Sequence, residues 1–144
     1  NLSIATVIIS VMVFQYILSQ VGAAEQIADE LMKLHVPVPL VVAALPFISG
    51  MVTGLAIGFV GTSFPIVLAL VAALPGHGSI YPYVALAYAF GHLGQMVSPL
   101  HLCHIVSNEY FKTGFANVYR RLFFTAGLNF ILIAGYFVVL KMIV

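Results

Sequence analysis

Charge is what this sequence has least of. Asp, Glu, Lys and Arg make up 6% of its residues, against 62% hydrophobic, and between Lys33 and Glu109 no charged residue of either sign occurs. A soluble domain carries about a quarter charged residues, so a water-facing surface around this run is excluded. As one helix the run would be several bilayers long, since ~20 residues span the hydrocarbon core. It must turn back on itself inside a membrane or at its edge, and an integral membrane protein is expected. Cysteine is nearly absent too: Cys103 stands alone, which rules out an internal disulfide. With a formal net charge of +1 there is no basic stripe for a nucleic acid. Residues 2–19 are too long and too weakly flanked for a removable signal peptide, and no cleavage motif follows them. The chain opens on Asn1 instead of an initiator Met, so a fragment or a processed product is expected.

What is present divides into five pieces within one domain, 1–144. Residues 1–20 are uncharged and long enough for one transmembrane helix. Residues 22–35 place Ile27, Leu31 and Leu34 at helical spacing, with Glu25, Asp29, Glu30 and Lys33 mainly opposite. Asp29 and Lys33 stand four apart in the favourable order, and the segment fits an amphipathic helix lying at the interface. Residues 37–75 are apolar but full of breakers. Pro37 and Pro39 open the segment, and Pro75, Gly76 and Gly78 close it. The central "GFVGTS" predicts the tip of a re-entrant hairpin, with Gly58 and Gly61 for the turn and Thr62 and Ser63 for oxygens. Gly50 and Gly54 form a small-xxx-small pair suited to close helix packing. Residues 80–108 predict a discontinuous helix: a half-helix to about Phe90, a break from Gly91 to Pro99, and a resumption over residues 100–106. Pro99 lacks an N–H and pushes Ser98 out of helical geometry. "NEYFKTGFANVYRR" is polar and expected outside the membrane, and residues 119–143 form a plain final span. Threaded through a bilayer, Lys112, Arg120 and Arg121 share one side against Lys33 and Lys141 on the other. The first side is then cytoplasmic, and the hairpin enters from outside.

Three functions compete for the two interruptions. A broken membrane helix exposes amides at one half-helix end, which suit an anion, and carbonyls at the other, which suit Na⁺. Gly91 and Gly94 allow close approach, Ser98 offers a hydroxyl, and the tip supplies the same kit. This makes Gly58, Gly61, Thr62, Ser63, Gly91, Gly94 and Ser98, with His92 and Gln95, the candidate substrate- or ion-binding residues. No catalytic residue and no metal ligand is assigned among them. The alternative is a membrane metal- or haem-binding redox subunit using His92, His101 and His104, with Cys103 adjacent. A packing subunit of a larger complex is the third.

The order of span, surface helix, hairpin, broken helix and span resembles one inverted-repeat half of an ion transporter superfamily carrier. That superfamily includes the divalent-anion/sodium symporters and the gluconate and C4-dicarboxylate carriers. "GAAEQIADELMKLHVPVPL" resembles the approach to the hairpin, "SGMVTGLAIGFVGTSFP" its tip, and "FGHLGQMVSPLHL" the glycine-rich loop and Ser-Pro step of the broken helix. The nearest likeness is to a prokaryotic membrane family of unknown function, domain of unknown function 401, toward its C-terminal end. The resemblance implies an all-α integral membrane fold. It also implies a multi-pass place in the prokaryotic cytoplasmic (inner) membrane. The expected activity is ion-coupled transport of small organic anions such as carboxylates by alternating access, in a carrier and not an enzyme. The family's Ser-Asn-Thr tip falls on Val60, Gly61 and Thr62, so a cation there would depend on Thr62, Ser63 and backbone carbonyls. His92, Gln95 and His101 are additions that would bind a substrate carboxylate or carry a proton. No cofactor is implied beyond Na⁺ or H⁺ as coupling ion. The expected partners are membrane lipid, a small anionic substrate, and a second repeat. That repeat would be a missing half or an antiparallel copy in a homodimer, and the missing half is the expectation.

Overall fold

The computed structural model describes residues 36–72 and 79–143 continuously, and before them the positions 6, 9, 13, 16, 17, 20–22, 26, 29, 30 and 33. The expected span over 1–20 and interfacial helix over 22–35 therefore fall largely outside the described residues, as do Pro75, Gly76 and Gly78. Two details survive there. Gly22 takes φ 64 between the helical residues Gln20 and Gln26, at the boundary between those two segments. Lys33 pairs with Glu30 at 2.7 Å, on the exposed surface, and not with Asp29 as its spacing predicts.

Five helices follow among the described residues: α1 (Val38–Thr53), α2 (Ala56–Ala72), α3 (Tyr81–Val97), α4 (Leu102–Tyr110) and α5 (Phe115–Ile143). Pro37, extended at φ −61 and ψ 120, leads into α1, and Pro39 sits in the first turn, where a missing N–H costs no helical bond. Gly54 ends α1 in the left-handed region (φ 63, ψ 7), with its N–H bonded to Gly50 O at 2.8 Å. That is the glycine stop of a helix C-terminus. Leu55 alone separates it from α2, which folds back along α1. The predicted tip over 58–63 is therefore corrected: the turn is at Gly54–Leu55, and "GFVGTS" forms the opening turns of α2. Thr53 settles the difference. Its hydroxyl donates to Ser49 O at 2.8 Å, and a Cβ on Gly58 would meet the Thr53 Cβ at 2.6 Å. Gly58 is there to let Thr53 fold across the start of α2.

The second interruption also moves. α3 continues through Gly91 and Gly94 to Val97, and the non-helical stretch is Ser98 to His101, shorter and later than the expected break over 91–99. Ser98, extended at φ −66 and ψ 131, obeys the constraint that Pro99 imposes. α4 resumes at Leu102 and runs to Tyr110, so the expected polar loop is partly helical. α5 starts at Phe115 and includes the expected span 119–143.

Gly91 and Gly94 stay helical because their role is contact. α1 packs most extensively on α3, then on α2; α3 also meets α5 and α2. A Cβ on Gly94 would collide with the Phe47 carbonyl oxygen, and one on Gly50 with Gly91 O, while Gln95 N would lie 2.9 Å from it. The Phe59 ring lies across Gly91 in the same way and meets Tyr88 edge-on at 5.8 Å. Beyond this crossing, Val41, Val42, Val67, Leu70, Leu86, Ala87 and Phe90 complete the buried core. α5 joins through aromatic edges, Phe90–Phe130 at 5.2 Å and Tyr83–Phe137 at 5.6 Å. Over Ala116–Ile143 it is long and apolar enough to cross a membrane (mean hydropathy 2.1 in an 18-residue window), and its side chains are largely exposed.

Two sets of glycines should therefore respond oppositely to a methyl group. Gly50→Ala and Gly94→Ala force backbones apart and should each lose about 1–3 kcal/mol, as overpacked cores do. Gly127 and Gly135 meet nothing within 4 Å among the described residues, so alanine there should be neutral or gain up to ~1 kcal/mol from helix propensity. Thermal unfolding of the purified variants in one detergent measures both.

Candidate functional site

The two interruptions touch. A Cβ on Gly54 would lie 2.9 Å from the Leu100 carbonyl carbon and 3.1 Å from His101 N, so the α1–α2 turn rests on the backbone of the α3–α4 break. Side chains from the break then satisfy carbonyls that the end of α1 leaves open. Ser98 is fully buried. Its hydroxyl donates to Met51 O at 2.7 Å and accepts the Leu100 N–H at 3.1 Å. His101, also buried, faces Gly54 O with Nδ1 at 3.0 Å. A carbonyl cannot donate, so Nδ1 carries the proton. His104 does the same for α3: Nε2–H donates to Met96 O at 2.9 Å. The two imidazoles stand edge to face, with centroids 5.0 Å apart. When neutral, each keeps one ring nitrogen as an acceptor.

A second group of oxygens lies along α1 and α2. Thr62 Oγ1 donates to Gly58 O at 2.8 Å. Its single proton is thereby used, so in the 2.5 Å contact between Ser49 Oγ and Thr62 Oγ1 the serine is the donor. Ser63, buried, donates to Phe59 O at 2.5 Å. These are helix-internal bonds, with one cross-link holding α1 to α2. Gln95 differs. It is 9% exposed, its backbone abuts Gly50, and its Oε1 has no hydrogen-bond partner among the described residues. A buried acceptor left open costs about 1–3 kcal/mol, and such groups in a folded protein call for an explanation.

The nine candidate residues thus separate by location. Thr62 and Ser98 join neighbouring elements through their hydroxyls, and Ser63 bonds within its own helix. Gly58, Gly91 and Gly94 make room for neighbouring chain or side chain, and Gly61 is buried in α2. Gln95 lies at the α1–α3 crossing with an unused acceptor. His92 is exposed on α3 and has no bond to the interruptions among the described residues. Sequence reasoning does not find Ser49, which meets Thr62 thirteen residues away, nor Gly54 as the turn. His101 and His104 enter the sequence as metal candidates, and His101 also as a group that would bind a carboxylate or carry a proton, because nothing local marks an imidazole as the partner of a distant carbonyl. Among the described residues no three His, Cys, Asp or Glu side chains form a group that could hold a metal ion.

The cross-bonds are testable as structure. Ser98→Ala and His101→Leu each leave a carbonyl at the end of α1 without its donor and should lose about 1–3 kcal/mol. His92→Gln, on the exposed face, should stay within ~0.5 kcal/mol of the parent. Equal unfolding midpoints for all three would refute the pairing.

Comparison with known sequences adds one finding. The sequence model of the family described as "Protein of unknown function (DUF401)" matches residues 1–142. No curated protein and no solved structure matches the chain. With nearly every residue from the first segment to the end of α5 inside that match, the chain belongs to the DUF401 family.

Proposed function

We propose that the chain is one repeat of a secondary transporter for small organic anions such as carboxylates, working by ion-coupled alternating access in the cytoplasmic membrane. One observation supports it above the others: two adjacent interrupted helices meet backbone to backbone, with a buried side-chain oxygen, Gln95 Oε1, left without a partner among the described residues one helical turn from the meeting point. In hydrocarbon, non-helical backbone is tolerated only where protein or a water-filled cavity surrounds it. Carriers place their sites at such paired interruptions, between two repeats. On this reading α5 and the first segment are spans, and α1–α2 is a hairpin that enters the membrane without crossing it.

The candidate set narrows under this reading. Ser98 and His101 are committed to the α1 carbonyls, and the glycines to packing. Gln95 is the ligand group, with Thr62 and Ser49 beside the same crossing. An amide offers a carbonyl acceptor and two N–H donors, so Gln95 can meet a coupling cation with one end and a carboxylate with the other. The second repeat comes from elsewhere in the protein or from an inverted copy. A redox role for His101 and His104 has less in its favour, because each ring already has a structural partner.

Thermal unfolding of the intact protein in detergent, with di- and tricarboxylates and sugar acids, each with and without Na⁺ and at two pH values, tests the proposal. An anion at ~100 times its Kd should add roughly 2.7 kcal/mol, and its dependence on Na⁺ or pH names the coupling ion. Gln95→Leu should abolish that gain while leaving basal stability equal or higher, since an unpaired buried polar group is removed. Thr62→Val should weaken it. Absence of a shift with every anion would sink the carrier reading; a shift that survives Gln95→Leu would sink the site.

A further inference from the structure

A concavity of about 970 Å³ opens where α4 turns into α5, lined by Lys112, Thr113, Asn117, Arg120, Arg121 and Phe124 among others. Three of the chain's five basic residues face it, and they come from two elements. Lys112 stands in the connecting turn at φ 50, a left-handed conformation uncommon outside glycine. That turn is built and held. Lys112 N–H donates to Glu109 O at 3.3 Å, Thr113 N–H to Asn108 O at 3.1 Å, and the Thr113 hydroxyl to the side-chain oxygen of buried Asn108 at 2.9 Å. Arg120 and Arg121 come from the second turn of α5.

Among the described residues no acidic side chain pairs with this group. The first turn of α5 holds no acidic residue, no carboxylate among the described residues lines the concavity, and the ion pair found among them is at Lys33, outside this group. The acid closest in sequence, Glu109, is exposed on α4 and does not line the site. Three exposed cations around one hollow sum to a positive local potential, which favours an anion or a negatively charged surface in front of it. Depth supplies the second clue. Phe124 lies three residues beyond Arg121 and four beyond Arg120, on the same helical face. It is highly exposed, and it stands where the apolar length of α5 begins. Cations sit above an exposed aromatic at the head of an apolar helix. That is the vertical order of a phospholipid: phosphate outside, glycerol and acyl chain beneath.

We propose that Lys112, Arg120 and Arg121 form a binding site for the phosphate of an acidic phospholipid headgroup, with the Asn117 side-chain amide as a hydrogen-bond donor and Phe124 against the lipid's apolar part. This rests on the membrane placement of α5 proposed above and not on the transport activity. It also gives that end of α5 a reason to face the leaflet richer in acidic lipid.

The test uses the intact protein purified from membranes in mild detergent. Phosphatidylglycerol, phosphatidylcholine or inorganic phosphate is added, and both unfolding temperature and retained lipid by mass spectrometry are read. Phosphatidylglycerol should be retained and raise the unfolding temperature, and phosphatidylcholine should do neither. Each cation near an anionic headgroup contributes about fivefold, so Lys112→Gln with Arg120→Gln and Arg121→Gln should lose roughly a hundredfold in retention. Lys33→Gln with Lys141→Gln should lose little, and Arg120→Lys with Arg121→Lys should keep most of it. Equal retention by the triple variant, or equal protection by inorganic phosphate, overturns the lipid site. Alkaline extraction of the membranes separates the two readings: protein released into the supernatant overturns both, while protein that stays with the lipid but shows no headgroup preference overturns the site alone.

Discussion

The separation of α1 and α3 is set by the absence of two β-carbons, at Gly50 and Gly94, and the absence of a third, at Gly91, lets the Phe59 ring of α2 lie on α3. At Gly50, Gly91 and Gly94 the neighbouring group is another peptide unit or an aromatic ring placed where a methyl would be. Two helices in that relation can slide or part only by giving up the whole contact, since no side-chain layer lies between them to repack. Close backbone approach is a recurrent solution where lipid removes the hydrophobic drive for helices to associate. There van der Waals contact and interhelical polar bonds hold helices together. The crossing sits close to the ends of both helices. Gly50 is four residues before Gly54, and Gly94 four before Ser98. Once the crossing is fixed, the α1–α2 turn and the α3–α4 break have little freedom left. Met51 O then falls within reach of Ser98, and Gly54 O within reach of His101.

This dependence explains which parts were legible. Charge scarcity speaks for the whole chain, and proline acts through covalent geometry, so the opening of α1 at Pro37 and Pro39 and the interruption at Ser98–Pro99 could be read directly. Glycine is ambiguous in a way proline is not. The same residue permits positive φ, unwinding, or close approach, and its neighbours in sequence do not say which. Gly54 uses the first of these, and Gly50, Gly91 and Gly94 the last. The partners that decide are Phe47, Phe59 and Thr53; all three come from other elements, and only Thr53 is near in sequence to the glycine it meets. Reading Gly91 and Gly94 as an unwound loop lengthened the break at its N-terminal side. Reading Gly58 and Gly61 as the turn moved the tip into α2. The histidines were hidden for a related reason: capping a carbonyl forty-seven residues away, as His101 does, leaves no local spacing to find.

Satisfying both interruptions from within has a consequence for any cargo. Groups already bonded in pairs, such as Ser98 with Met51 and His101 with Gly54, give up a bond if they turn to a ligand, and the exchange gains little. Binding is favoured where the folded chain has left capacity unused. Gln95 Oε1 meets that condition beside the crossing. Under the carrier reading, the hydroxyls and imidazoles that look most like ligands in the sequence are the frame, and the amide is the contact.

The same logic separates the parts that can move. α1, α2 and the break are joined through backbone contact and bonds to carbonyls, which have few alternative geometries. α5 meets α3 through the edges of Phe130 and Phe137. Ring edges tolerate small shifts, because each contact is worth only about 0.5–1.5 kcal/mol beyond its buried area and can re-form after a rotation. If alternating access operates in this family, the boundary of the moving body should fall between α3 and α5. The hairpin and broken helix would then travel together. That order of stiffness also suits the basic end of α5. On the proposed membrane placement, an element held by charge at the membrane surface, and only loosely held to its neighbours by rings, would stay with the bilayer while a glycine-locked unit shifts against it.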